Sequence, residues 1–175
     1  AAGQSNHGLA KRNYALLHLF LQTGLRVNEV AQLTWGDLDL NERSGIVRVI
    51  MGKGRKNRDV PLNAKARRAL RLYHATRDQI ASEAPVFLSE RKTPLSSRAI
   101  QALITNLAST ANITRLSVSP HTLRHTFAIT YLKQHPTNIV ELATLLGHES
   151  LDTTALYTQP SIEDLANNLE QMATA

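Results

Sequence analysis

The chain has 175 residues, 42% of them hydrophobic, enough for one globular domain with a sizeable core. It contains no cysteine, which excludes a disulfide framework and a cysteine-ligated zinc site, and no stretch has the pattern of a signal peptide or an uninterrupted membrane span; a soluble, cytoplasmic protein is expected. Up to Lys133 there are 20 basic and eight acidic residues, net +12, whereas residues 134–175 hold six acids and no Lys or Arg, net −6. A basic body attracts a polyanion at long range, and the acidic end points to a different task.

Residues 1–10 (AAGQSNHGLA) are small and polar, as in a linker or a frayed end. Residues 13–22 (NYALLHLFLQ) are apolar almost all round and predict a buried helix that Thr23-Gly24 stops. Arg26 and Glu29 follow, leading into a short helix with Val30, Ala31 and Leu33 on its inner side. Residues 45–51 (GIVRVIM) and 58–62 (RDVPL), separated by a glycine-containing basic segment, predict a β-hairpin whose tip carries Lys53, Arg55, Lys56 and Arg58. Helices are predicted over residues 64–81 and 96–112, with a short strand at 85–89 between them. Further helices are predicted over 120–133, 137–146, 151–158 and 162–172. The expected class is therefore mainly α with a small antiparallel β-sheet, an α+β arrangement.

His121, Arg124 and His125 stand at i, i+3 and i+4, so a helix gathers them on one stripe. The two histidines do not make a zinc-protease helix, because Thr122 occupies the position that motif gives to Glu. Gly52-Lys53-Gly54 lacks the spacing of a nucleotide-binding P-loop, and no GxSxG elbow occurs. What remains is Arg26 after a helix stop, Lys53 on a hairpin tip, His121 and Arg124 on one helix face, His148 after Gly147, and Tyr157 nine residues further on. Taken singly, each has an ordinary structural explanation; together they suit a phosphate site with a nucleophile.

Four blocks, TGLRVNEVAQLTWGDLD at 23–39, GKGRKNRDVPL at 52–62, SPHTLRHTFAIT at 119–130 and LLGHESLDTTALYTQ at 145–159, resemble the catalytic domain of the tyrosine recombinase, or phage integrase, family. They span nearly the whole chain in the family's order, and their combination is specific where no single block is. The resemblance implies the family's catalytic-domain fold, with Arg26 and Arg124 as phosphate-binding arginines, Lys53 as the hairpin lysine, His121 and His148 as the active-site histidines and Tyr157 as the nucleophile. Glu29 matches an acidic position that supports the site in many members, and Asn28 stands where the family often has Ser.

Physical chemistry agrees with those roles. The five-coordinate transition state of a phosphodiester carries extra charge on its non-bridging oxygens, which guanidinium forks hold bidentately. A tyrosine with a reference pKa of about 10 needs a proton acceptor or electrostatic help to attack at neutral pH. His121 is the candidate acceptor, His148 a donor to a non-bridging oxygen, and Lys53 the general acid for the departing 5′ hydroxyl. His125 is expected to hold its neighbours rather than touch the phosphate. Because a phosphotyrosyl ester conserves the bond energy, neither ATP nor a metal cofactor is required.

Arg55, Lys56 and Arg58 near the hairpin and Lys65, Arg68 and Arg71 on the long helix are candidates for contacts to the DNA backbone. The resemblance implies double-stranded DNA as partner and an N-terminal domain that clamps the duplex, with residues 1–10 as its linker and 11–175 as the catalytic domain. In the tail, 160–175, Ser161 can cap a helix with Ile162, Leu165, Leu169 and Met172 on one side. The family suggests that this segment is exchanged between protomers of a homo-oligomer, a tetramer, on DNA; free in solution a monomer is expected. Competing readings are a type IB topoisomerase with the same chemistry, a DNA-binding module without catalysis, and, more remotely, a metal hydrolase.

Overall fold

The computed structural model describes residues 2–50, 57–77, 79–113 and 117–148, with the side chains from His7 onward. Lys53, Arg55, Lys56 and Tyr157, and the helices expected over 151–158 and 162–172, lie outside the described residues. The chain divides into two compact units, Ala1–Ala128 and Ile129–Ala175, the boundary falling within one helix.

The first unit is built on α1 (Ala2–Thr23) and α3 (Ala64–His74), which pack against each other. Ala15, Leu16, Leu19 and Phe20 of α1 and Ala66, Ala69 and Leu70 of α3 are fully buried. Their spacing of three and four residues is that of one helix face, and each large side chain removed from water contributes roughly 1.5–3 kcal/mol. Helix α1 stops where expected, because Gly24 adopts φ 62°, a left-handed conformation costly for any residue with a Cβ. It starts earlier than expected, at Ala2: residues 2–10 are helical, not frayed. Short α2 (Val27–Gln32) follows, and Ser97 of α4 (Ser97–Thr110) ties to it through a 2.6 Å hydrogen bond from its hydroxyl to Asn28 Oδ1.

The predicted hairpin is present as β2 (Gly45–Val49) and β3 (Arg58–Pro61), antiparallel, with Val49 opposite Arg58. A strand not anticipated from sequence, β1 (Leu38–Leu40), adds to the other edge of β2. Val47, Val49 and Val60 are buried while Arg48 is exposed, the alternation of a sheet with one face on the core.

Two expectations are corrected. Helix α3 ends at His74 instead of continuing to residue 81. The Thr76 hydroxyl takes the carbonyl of Tyr73, and Arg77 leaves the helix to donate to the carbonyls of Pro85 and Val86 at 2.8 and 3.0 Å, with its guanidinium over the Trp35 ring. The expected strand at 85–89 forms isolated bridges only, Thr34 with Pro85 and Leu88 with Pro94. Both bridges place a proline at the pairing position, and a residue without an N–H cannot extend a ladder.

Helix α5 (Pro120–Gln134) spans the unit boundary. In the second unit α6 (Ile139–Leu146) buries Leu142, Ala143 and Leu146, and the Tyr131 hydroxyl donates to Glu141 at 2.7 Å. Among the described residues no helix is long and apolar enough to cross a membrane.

Candidate active site

Arg26 is the N-cap of α2, with extended backbone (φ −75°, ψ 150°). Its N–H donates to Glu29 Oε2 at 2.8 Å, one of the donors that a helix start leaves without an intrahelical partner, and its guanidinium reaches Glu29 Oε1 at 3.1 Å. From β3, Arg58 lays a parallel fork on the same carboxylate, Nη1 to Oε1 and Nη2 to Oε2, both 2.9 Å. The Glu29 and Arg58 side chains are only 8% and 10% exposed, whereas that of Arg26 is 37% exposed. Two guanidinium groups share one carboxylate, and the more accessible of the two is Arg26. Burial by itself pushes the Glu29 carboxyl up, but the hydrogen bonds from Arg58 and from the Arg26 backbone, with the charge of Arg58, outweigh it and hold the group below its ordinary value.

Arg124 lies on α5 and is buried, 6% exposed. Its Nη1 donates to the carbonyl of Gly24 at 2.5 Å, at the C-terminus of α1 where carbonyls lack helical partners. Gly24 is two residues before Arg26, so the α1–α2 corner carries one arginine and anchors the other. The left-handed turn at Gly24 thus shapes that corner. His121 is exposed one turn before Arg124, and His125 is exposed beside it. The start of α5 is set by Pro120 at a position that needs no donor, by Ser119, whose hydroxyl accepts from the Thr122 N–H at 3.2 Å, and by Thr122, which donates to the Ser117 carbonyl at 3.0 Å.

In the second unit, His148 follows the left-handed Gly147 (φ 65°) that ends α6. The Gly147 N–H bonds back to Thr144 and the His148 N–H to Ala143 at 3.0 Å, the paired closure that fixes a helix C-terminus. The sequence Leu-Leu-Gly-His is thereby a device that holds the half-buried His148 at a set place after α6.

Of the remaining candidates, Lys65, Arg68 and Arg71 are exposed on α3, and Arg71 lies 3.8 Å from Glu42. Their neighbour Arg67 donates to the carbonyls of Leu62 and Glu42, at the end of the sheet away from the Val49–Arg58 pair. Arg58, a candidate for the DNA backbone, lays its fork on Glu29, and no local pattern signals a contact 29 residues apart. Arg12, unremarked in the sequence, is buried and donates to the Leu88 carbonyl at 2.7 Å, a structural tie. Among the described residues no group of three or more His, Asp or Glu gathers as metal ligands would.

The described residues thus form a helical domain with a three-stranded sheet in which Arg26 and Arg124 are brought to one helix corner, with His121 one turn before Arg124. The chain belongs to the phage integrase family, whose model matches residues 3–163. It is 36% identical over 162 residues to the tyrosine recombinase XerC of Thermodesulfovibrio yellowstonii, covering 89% of this chain and 52% of that protein. Against XerC of Bacillus subtilis the identity is 37% over 162 residues, with the same coverage of 89% and 52%. The chain thus spans about half the length of the curated relatives it matches. Among solved structures, XerA recombinase superposes with a TM-score of 0.77 at 29% identity, over 98% of this chain and 64% of that one. XerH site-specific recombinase bound to its difH substrate, a pre-cleavage complex, gives 0.75 at 25% identity, over 93% and 47%. The mainly helical fold with a small antiparallel sheet is that of tyrosine recombinase catalytic domains.

Proposed function

We propose that the chain is the catalytic domain of a site-specific DNA recombinase that cuts and rejoins strands through a 3′-phosphotyrosyl intermediate. The observation that carries this reading is the α1–α2 corner, where Arg26 is oriented by Glu29 and the buried Arg124 is tied to Gly24. Family membership and the relatives' names as tyrosine recombinases support it.

Arg26 and Arg124 hold the non-bridging oxygens of the scissile phosphate, replacing water with fixed guanidinium donors as negative charge grows. Tyr157 attacks phosphorus, its phenolic proton passing to His121, while His148 donates to a non-bridging oxygen. The bond to the 5′ oxygen breaks, and Lys53 protonates that oxygen as it leaves. The resulting 3′-phosphotyrosyl ester is reopened by a 5′ hydroxyl of the partner strand, so the number of phosphoester bonds is unchanged. Glu29 supports Arg26, and His125 holds its neighbours. Arg55, Lys56, Lys65, Arg68 and Arg71 contact the DNA backbone.

Residues 11–175 form the catalytic domain, with 1–10 as the linker to an N-terminal clamp and 160–175 as a tail that reaches a neighbouring protomer in a DNA-bound tetramer; free protein is monomeric and cytoplasmic. The reading is tested on a plasmid carrying two copies of a duplex that the protein itself selects from a random-sequence pool. Exchange of the flanking segments is expected; relaxation of supercoils without exchange would assign the chain to topoisomerase chemistry instead.

A further inference from the structure

Among the described residues, Arg58 is a hairpin cation that the structure turns inward. It opens β3 directly after the connection that contains Lys53, and it pairs with Val49 at the last rung of the β2–β3 ladder. Both of its terminal nitrogens lie 2.9 Å from the Glu29 carboxylate, which also holds the backbone and the guanidinium of Arg26. Resting on the reading above, we infer that Arg58 is a positioning residue for the strand-transfer reaction: through Glu29 it fixes the register between the base of the Lys53 hairpin and the phosphate-binding Arg26, and it makes no DNA contact of its own.

The physical case has three parts. A bidentate fork fixes the rotation of the carboxylate as well as its distance, so the Glu29 oxygen left to Arg26 points in one direction. Both terminal nitrogens of Arg58 are directed at the Glu29 carboxylate, so the fork that would grip a phosphate is already engaged. The contact joins residues 29 apart on different elements, α2 and β3, so it locks two pieces of backbone that the chain alone leaves independent. A lysine here could supply charge but not the fork.

The inference is tested on the intact protein with Arg58→Gln, Arg58→Lys, Glu29→Gln and the Arg58→Gln/Glu29→Gln pair, circular dichroism confirming that each is folded. The probe is a centrally nicked duplex selected by the wild-type protein from a random-sequence pool, and two quantities are read: the rate of covalent adduct formation at saturating protein, and the dependence of duplex affinity on salt. Misplacement by about an ångström predicts a loss of order 10²-fold in adduct rate for Arg58→Gln, with partial recovery in Arg58→Lys. In the Glu29→Gln background the same change costs no more than about twofold, because the two act as one unit. The slope of log affinity against log salt stays that of wild type, since no phosphate contact is removed. Additive losses, or a slope reduced by about one, would assign Arg58 to the DNA backbone and overturn the inference while leaving the recombinase reading intact. Failure of the wild-type protein itself to form an adduct would remove both.

Discussion

Glu29 receives from Arg58, 29 residues later in the chain, two parallel hydrogen bonds of 2.9 Å, and the same carboxylate holds the backbone N–H and guanidinium of Arg26. One buried acid therefore organises the cap of α2, the first rung of β3 and the more exposed of two site arginines. This arrangement has a pH signature. The Glu29 carboxyl is held below its ordinary value of 4.5, so its contribution to stability is fully present above the unfolded-state value and is lost as pH falls through the folded one. Thermal unfolding of wild type should therefore lose stability more steeply than Glu29→Gln as pH is lowered below about 4.5. Parallel curves for the two proteins would show that the carboxylate is not coupled to folding.

Arg124 is buried and donates to the Gly24 carbonyl at 2.5 Å. Arg124→Lys keeps the charge but loses the planar fork that can hold a helix carbonyl and a phosphate oxygen together. Adduct formation should fall by roughly 10²–10³-fold, the loss typical of removing one oxyanion donor, with duplex affinity changed far less. Weakened affinity with an unchanged rate at saturating protein would place Arg124 in ground-state binding alone.

Lys53 as general acid is testable through the leaving group. A duplex in which sulfur replaces the bridging 5′ oxygen departs as a thiolate, which needs no proton at neutral pH. Lys53→Ala should be slowed by about 10²-fold or more on the oxygen substrate and be nearly as fast as wild type on the sulfur one. Equal slowing on both substrates would give the proton to another group.

Gly147 holds φ 65° at the end of α6, directly before His148. Gly147→Ala should cost about 1–2 kcal/mol of stability, read from urea denaturation, because a Cβ strains the left-handed conformation. Gly147→Asn, the residue that tolerates this region best after glycine, should cost less. An alanine variant as stable as wild type would mean that the helix ends by other means.

The periodic elements were legible in the sequence because their signals are local. Ser96 caps α4 as its position implies, accepting from the Ala99 N–H at 3.2 Å, and Gly24 and Gly147 end their helices in the left-handed region. Signals that depend on distant partners were not legible. Strand β1 is three residues long and exists because β2 lies beside it. The early end of α3 depends on Arg77 finding the carbonyls of Pro85 and Val86. In the sequence Arg58 is one more cation near a basic hairpin, since nothing in RDVPL says that its fork closes on Glu29. The family's four blocks point to the candidate residues, but the contact of Arg58 with Glu29 is visible only in the folded chain.

The most direct test of the central claim is incubation of the intact protein, in the presence of chelator, with the centrally nicked duplex, followed by denaturing electrophoresis and mass mapping of any protein–DNA adduct. A 3′-phosphotyrosyl bond to Tyr157 that disappears in Tyr157→Phe is the predicted result. Binding of the duplex with no covalent adduct, or an adduct on another residue, would contradict the account.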